Sequence, residues 1–276
     1  MLYSRAMKPD RHRLYEASVQ DVEFDLDFFR RVYKKTRGTP FERLREDFCG
    51  TARLASTWVE QKATRQAWAV DLDPNPIAWS RAHHLPLIGD AARRFHFVRA
   101  DVRKARTPKV DVVAALNCSY WVFKKRAQLV DYFRSAHRSL APRGLFILDA
   151  FGGDRTLREM VERRRVRGIR TRTGERVPAF TYVWEQKSFN PIDYHMRAAI
   201  HFELDDGRSM RNAFTYDWRV WGLPEIDEAL REAGFVDVHV YVQGWDDETN
   251  KALHVFRRRV RFVNQEAWLA FIIGVK

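Results

Sequence analysis

Apolar residues along this chain change their spacing several times, and each change marks a new element. Val22, Leu26, Phe29 and Val32 recur at three- and four-residue steps, predicting a helix over residues 15–35 that ends at Gly38-Thr39-Pro40. Residues 1–14 read as a loose tail. Short apolar runs then alternate with helix-length segments. Strands are predicted over 44–48, 66–72, 95–100, 110–116 and 145–150. Between them lies a helix to about residue 63, with Leu54, Ala55, Trp58 and Val59 on one face. Another opens with Asn75 as its N-cap and Pro76 in its first turn. A third covers 124–140, with Leu129, Phe133, Ala136 and Leu140 on one stripe, and stops at Ala141-Pro142-Arg143-Gly144.

Strands that are apolar throughout belong in a parallel sheet covered on both faces. After residue 178 the period becomes two: 179–186, 195–204 and 209–220 alternate apolar with polar, and Asp206-Gly207 is a hairpin signal. The first pattern returns with a helix over 224–233, capped by Gly234, and strands over 236–242 and 268–275. The expected fold is α/β: a doubly wound, mostly parallel seven-stranded sheet with a small antiparallel insertion. Residues 40–154 and 222–276 form the core, 155–221 the insertion, and 1–39 an N-terminal tail and helix.

Composition adds bounds. Apolar residues make up 45% of the 276, enough for a substantial core, and no stretch has the length of a membrane span. The polar first twenty residues lack an apolar leader, so the cytoplasm is the expected location. Cys49 and Cys118 are the only cysteines, which gives neither a disulfide framework nor a metal spacing, so no metal is expected. The net charge of +13, with arginine runs at 163–167 and 257–261, is a property of surfaces that attract polyanions. Neither run sits in a recognisable nucleic-acid module, so a spread, solvated basic surface is the favoured reading.

Candidate chemistry lies at the strand ends, where open parallel sheets bind ligands. The first strand ends in Glu46-Asp47-Phe48-Cys49-Gly50-Thr51-Ala52, small residues that let backbone approach a ligand. Asp71 ends the second strand, placed for a ribose diol, and Asp101 ends the third, where a carboxylate can meet an adenine amino group. Three acids at successive strand ends describe a nucleoside site. Cys49 reads as a packed residue offering its backbone, and His83-His84 as solvated helix residues.

With these residues in place, the chain resembles the class I S-adenosylmethionine-dependent methyltransferases over roughly residues 40–150 and 220–276. Phe48 and Ala52 depart from that family's first motif, standing where glycines are usual. The resemblance implies a Rossmann-like fold and S-adenosylmethionine as cofactor. Glu46, Phe48, Cys49, Gly50, Thr51 and Ala52 would surround its methionine moiety. Asp71 and Leu72 would face the ribose, Asp101 and Val102 the adenine, and Asn117 the region between cofactor and acceptor. The insertion resembles the covering sheet of small-molecule methyltransferases, including the glycine N-methyltransferase-like group, in which an N-terminal helix folds over the cofactor; Tyr15 and Gln20 would then contact the methionine end. Ser119, Tyr120, Asp149, His201 and Tyr216 are the acceptor-side candidates.

No catalytic base is assigned, and Leu116-Asn117-Cys118-Ser119-Tyr120 lacks the prolines of the N-P-P-Y signature. The expected activity is methyl transfer to a small molecule. The alternatives are an RNA or protein acceptor, motivated by the charge, and a non-catalytic cofactor-binding protein. A nicotinamide oxidoreductase is disfavoured, since Cys-Gly-Thr-Ala-Arg-Leu replaces G-x-G-x-x-G. No membrane partner is expected, and the sequence carries no sign of oligomeric state.

Overall fold

In the computed structural model, which describes residues 10–170, 176–246 and 251–276, strand and helix alternate much as the apolar pattern predicts. Helices α1 (Arg11–Val19) and α2 (Val22–Arg37) lead into β1 (Arg43–Asp47), α3 (Arg53–Glu60), β2 (Gln66–Asp71), α4 (Pro74–His83) and β3 (Phe95–Arg99). Next come β4 (Val110–Ala115), α5 (Arg126–Ser139) and β5 (Leu140–Gly152). The inserted strands are β6 (Met160–Val166), β7 (Ile169–Arg170), β8 (Arg176–Val177), β9 (Phe180–Asn190), β10 (His195–Leu204) and β11 (Ser209–Arg219). The chain then forms α6 (Leu223–Glu232), β12 (Asp237–Asp246), β13 (Lys251–Arg258) and β14 (Trp268–Val275).

Among the described residues the main sheet has eight strands, in the order β13-β12-β14-β5-β4-β1-β2-β3. The run from β5 to β3 is parallel, whereas β14 lies antiparallel between β5 and β12. Successive residues of the central strands feed opposite cores. On β5, Leu145 and Ile147 pack with Leu26, Phe29 and Trp58 of α2 and α3. Phe146 and Leu148 pack with Leu129 and Phe133 of α5 and Ile226 and Leu230 of α6. Each such side chain taken fully out of water contributes about 1.5–3 kcal/mol, which is why all-apolar strands demand helices on both sides.

Strand β1 is the exception, being almost entirely polar. Arg45 is wholly buried, and each arm of its guanidinium donates: to Asp47 Oδ1 at 2.6 Å, Ser139 Oγ at 2.6 Å and the Val102 carbonyl at 3.0 Å. A buried charge survives there because every donor has a partner.

Several expectations need correction. Residues 10–14 are not tail: Asp10 caps α1 by accepting from the His12 and Arg13 amides, while residues 1–9 lie outside the described residues. The helix predicted over 15–35 is two helices, broken at Gln20-Asp21, where Asp21 caps α2. Asp73, not Asn75, caps α4, and Pro74 takes the first turn. The sheet has an eighth strand, β13. Its arginines conceal any apolar alternation, and an edge strand needs little burial to form.

The insertion folds as a four-stranded antiparallel sheet, order β11-β10-β9-β6, with Gly207 at φ +84° in the predicted hairpin turn. Gly234, at φ +105°, closes α6, and the Phe235 amide donates back to the Leu230 carbonyl. No helix among the described residues is long and apolar enough to cross a membrane.

Candidate active site

The chain runs from β1 outward through β2 to β3, then returns to the other side of β1 as β4. This reversal opens a crevice at the carboxyl ends of β1 and β4. Two loops line it, and both are built from left-handed backbone. After β1, Phe48, Gly50 and Ala52 have φ of 54°, 52° and 53°. The positions held by phenylalanine and alanine thus adopt the conformation glycine takes freely, at a cost of about 1–2 kcal/mol each. After β4, Asn117 and Cys118 are left-handed in succession, at 56° and 52°.

Carboxylates hold these loops. Asp71 Oδ2 accepts from the Gly50 amide at 2.7 Å and its Oδ1 from the Asp73 amide at 2.9 Å. Glu46 Oε2 accepts from the Ala55 amide at 2.9 Å, in the first turn of α3. Asp149, on β5, accepts from the Asn117 and Cys118 amides, both at 2.7 Å. Burial raises all three acids: Asp71 in direction, Glu46 to about 8 and Asp149 to about 6, with the amide donors opposing. The Cys49 and Cys118 thiols are buried and pushed well up, so neither is a ready nucleophile.

Two cavities meet over these loops. The first, of about 410 Å³, is lined by Glu46, Asp47, Phe48, Cys49, Gly50, Thr51 and Asp71 from the sheet ends, by Leu116, Asn117 and Ser119 after β4, and by Tyr15 and Gln20. The second, of about 290 Å³, lies between β5 and the inserted sheet; Asp149 and Phe151 line one side and Glu162, Tyr182, Trp184 and Trp218 the other. Tyr15, Asn117 and Tyr216 border both. Burial raises both the Tyr15 and the Tyr216 phenols, each of which adds to the other's surroundings.

Helix α1 roofs the first cavity. Glu16 Oε1 accepts from Thr51 Oγ1 at 2.6 Å and meets His84 Nε2 at 2.7 Å, while Arg53 donates to the Glu16 carbonyl. Asp10 Oδ2 accepts from Trp79 Nε1 on α4. On its other side, Leu14 is buried against Phe180, Ile200 and Phe202 of the inserted sheet.

The structure gathers most of the predicted residues and sets others apart. Asp101 is bound by Arg103 through its amide and guanidinium, which hold its carboxyl below the usual range, and it does not line the cleft. Val102 and Ala52 are buried, and Leu72 is exposed beside Asp71. Two acceptor-side candidates are corrected. Tyr120 is wholly buried, its hydroxyl donating to the Asp149 carbonyl at 2.9 Å, so its phenol is core. His201 is buried in the inserted sheet between Glu185 and the Asn212 amide, turned away from the cavity that its neighbour Ile200 lines. Ser119 lines the first cavity rather than the second, with its hydroxyl donated to the Leu116 carbonyl.

Sequence reasoning missed Glu162, Tyr182, Trp184 and Arg11. The first three share one face of β6 and β9, so the period-two alternation held the signal, but it could not say which face looks inward.

A cofactor fit can be tested on the cleft itself. Its volume lies within the roughly 300–1,000 Å³ of ligand pockets. Gln20 Oε1 is buried with no hydrogen-bond partner among the described residues, an acceptor left open toward a donor such as an ammonium. The residues present suit a nucleoside carrying an amino acid.

Residues 47–148 match the family described as a methyltransferase domain. No curated protein matches the chain. Among solved structures, an S-adenosylmethionine-dependent methyltransferase from Clostridium acetobutylicum superposes with a TM-score of 0.65 at 16% identity, covering 95% of this chain and 96% of that one. CalS10, an amino pentose methyltransferase from Micromonospora echinaspora solved with S-adenosylmethionine bound, gives 0.65 at 17%, covering 96% and 98%. The sugar N-methyltransferase KedS8 from Streptoalloteichus gives 0.60 at 18%, covering 98% and 95%. At these identities the likeness carries the fold, which is Rossmann-like and extends over the inserted sheet.

Proposed function

We propose that this chain, an S-adenosylmethionine-dependent methyltransferase by its domain over residues 47–148 and by its fold, methylates a small molecule at an amine nitrogen. One observation carries the reading: two cavities of unequal chemistry meet at Tyr15, Asn117 and Tyr216. The larger, with its backbone loops and strand-end acids, takes the cofactor. Gly50 and its neighbours surround the methionine moiety, Gln20 Oε1 accepts from the α-ammonium, and Asp71 receives the ribose hydroxyls.

The smaller cavity takes the acceptor. Aromatic rings from both sheets form its walls, and its charged lining is Asp149, Glu162 and Arg155. Arg155 is paired with Glu266 at 2.8 Å, so the balance is negative. Rings and acids together favour a cation, which an aliphatic amine is in water. KedS8 and CalS10, named for action on a sugar nitrogen and an amino pentose, support the same class. A cavity of about 290 Å³ beneath the inserted sheet favours a small molecule over a polymer.

When bound, the cofactor supplies a methyl group already activated on a sulfonium. The chain's own work is then to align the acceptor and exclude water, and positioning of this kind supplies about 7–11 kcal/mol. Cytoplasmic residence belongs to the same proposal. The test is calorimetric titration with S-adenosylmethionine and its demethylated product, followed by a labelled-methyl screen of amines, carboxylates, phenols and tRNA. Amines as the labelled class support the reading; no affinity for either nucleoside overturns it, and binding with no labelled product would make this a non-catalytic binder.

A further inference from the structure

Among the described residues Asp149 is the one carboxylate that touches both the acceptor cavity and the backbone separating it from the cofactor cleft. Two consecutive left-handed residues, neither of them glycine, form that backbone, an arrangement that persists only where its surroundings over-determine it. The two amides of the turn converge on one carboxyl group, one on each oxygen, at 2.7 Å. Each oxygen keeps a second lone pair. We propose, resting on the amine reading above, that Asp149 meets the acceptor's ammonium, accepts its proton, and holds the Asn117-Cys118 turn through the same two oxygens.

The step balances. An N–H bond of the ammonium breaks and its proton passes to a carboxylate oxygen. The bonding pair remains on nitrogen as the lone pair that forms the new N–C bond, and the C–S pair departs with sulfur. The proton leaves Asp149 for solvent once product has gone. The titratable and charged groups around this carboxylate are Tyr15 of α1, Cys118 and Tyr120 beyond β4, Arg155 beyond β5, and Glu162, Tyr182 and Tyr216 of the inserted sheet, with Asp25 of α2 near enough to feel its charge. Burial raises the phenols and the Cys118 thiol among them, raises Asp25 as well, and pushes Asp149 up to about 6, so Asp149→Asn decides which carboxylate a pH dependence reports.

The experiment uses the full chain saturated with S-adenosylhomocysteine, whose binding is confirmed first; failure there defeats the functional reading and not this one. Choline and its uncharged isostere 3,3-dimethylbutan-1-ol are then titrated against the fluorescence of the cavity tryptophans. Near neutral pH choline should bind at least about tenfold more tightly than the alcohol. That preference should fall as pH drops through about 6, shrink most in Asp149→Asn, and be reduced less by Glu162→Gln. No preference for the cation, an undiminished preference in Asp149→Asn, or an equal or larger drop in Glu162→Gln each overturns the proposal. Cofactor affinities separate the remaining alternatives: Asp149→Asn keeps one of the two acceptors of the turn, so S-adenosylmethionine and S-adenosylhomocysteine should weaken equally and by no more than about threefold. Loss of the sulfonium form alone would assign the carboxylate to the cofactor, and a larger parallel loss of both with the cation preference intact would reduce it to a structural prop. With an amine from the screen, kcat should drop by about a hundredfold in Asp149→Asn and the acidic limb of its pH profile should disappear.

Discussion

At the residue scale the acids of the cleft divide by what holds them. Asp71 is fastened by two amides at the end of β2 and lines the cleft. Asp71→Ala should weaken S-adenosylmethionine binding at least about tenfold in calorimetry while leaving the melting transition in place, because the deleted bonds are to loop amides and ligand, not to core. Glu46 behaves differently. Burial raises it from 4.5 to about 8, so the folded chain keeps a proton that the unfolded chain releases. Its contribution to stability therefore becomes steadily less favourable as pH rises from 4.5 to about 8, by at most roughly 1.4 kcal/mol per unit. Glu46→Gln retains an acceptor for the Ala55 amide and cannot ionise. Its melting temperature should match the parent near pH 4.5 and exceed it increasingly toward pH 8.

At the element scale, α1 is the piece whose role depends on contacts and not on its own pattern. It has no apolar stripe of the sort that α2 carries; instead Leu14 enters the inserted sheet's core while Glu16 reaches down to Thr51 and His84. Glu16→Ala removes its side-chain ties to Thr51 of the cofactor loop and to His84 at the end of α4. Dissociation of S-adenosylhomocysteine in stopped-flow should accelerate several-fold, with far-UV ellipticity unchanged. An unaltered off-rate would mean that the roof is held by the Asp10–Trp79 bond, the donations of Arg53 and Arg164 to the backbone of α1, and apolar contact.

At the scale of the whole molecule, the charge of +13 invites a polyanion, and the fold answers part of that invitation. In the run on β6, Arg163 and Arg165 pair with Glu203 and Asp205 along the inserted sheet. In the run on β13, Arg258 lies 3.8 Å from Asp237. Surface pairs of this kind spread charge without building a groove. Methyl transfer to a small amine should then vary by less than about twofold between 50 and 200 mM salt, whereas an acceptor held through 6–10 phosphates would lose about 10³–10⁵ in affinity.

The order of strands and helices was legible in the sequence because burial on two faces writes itself as unbroken apolar runs, as in residues 110–116 and 145–150. So were the strand-end positions of Gly50 and Asp71, since a doubly wound sheet puts its ligands there whatever the loops contain. Sequence alone did not reveal that Phe48 and Ala52 stand in glycine's conformation, that Arg45 is buried, or that His201 and Tyr120 turn away from the cavities. These depend on contacts between residues far apart in the chain: Arg45 with Ser139, Tyr120 with Asp149, α1 with both the cleft and the inserted sheet. Local pattern records which side chains must leave water; which of them meet, and hence where one acid can serve two loops, is decided only when the sheet closes.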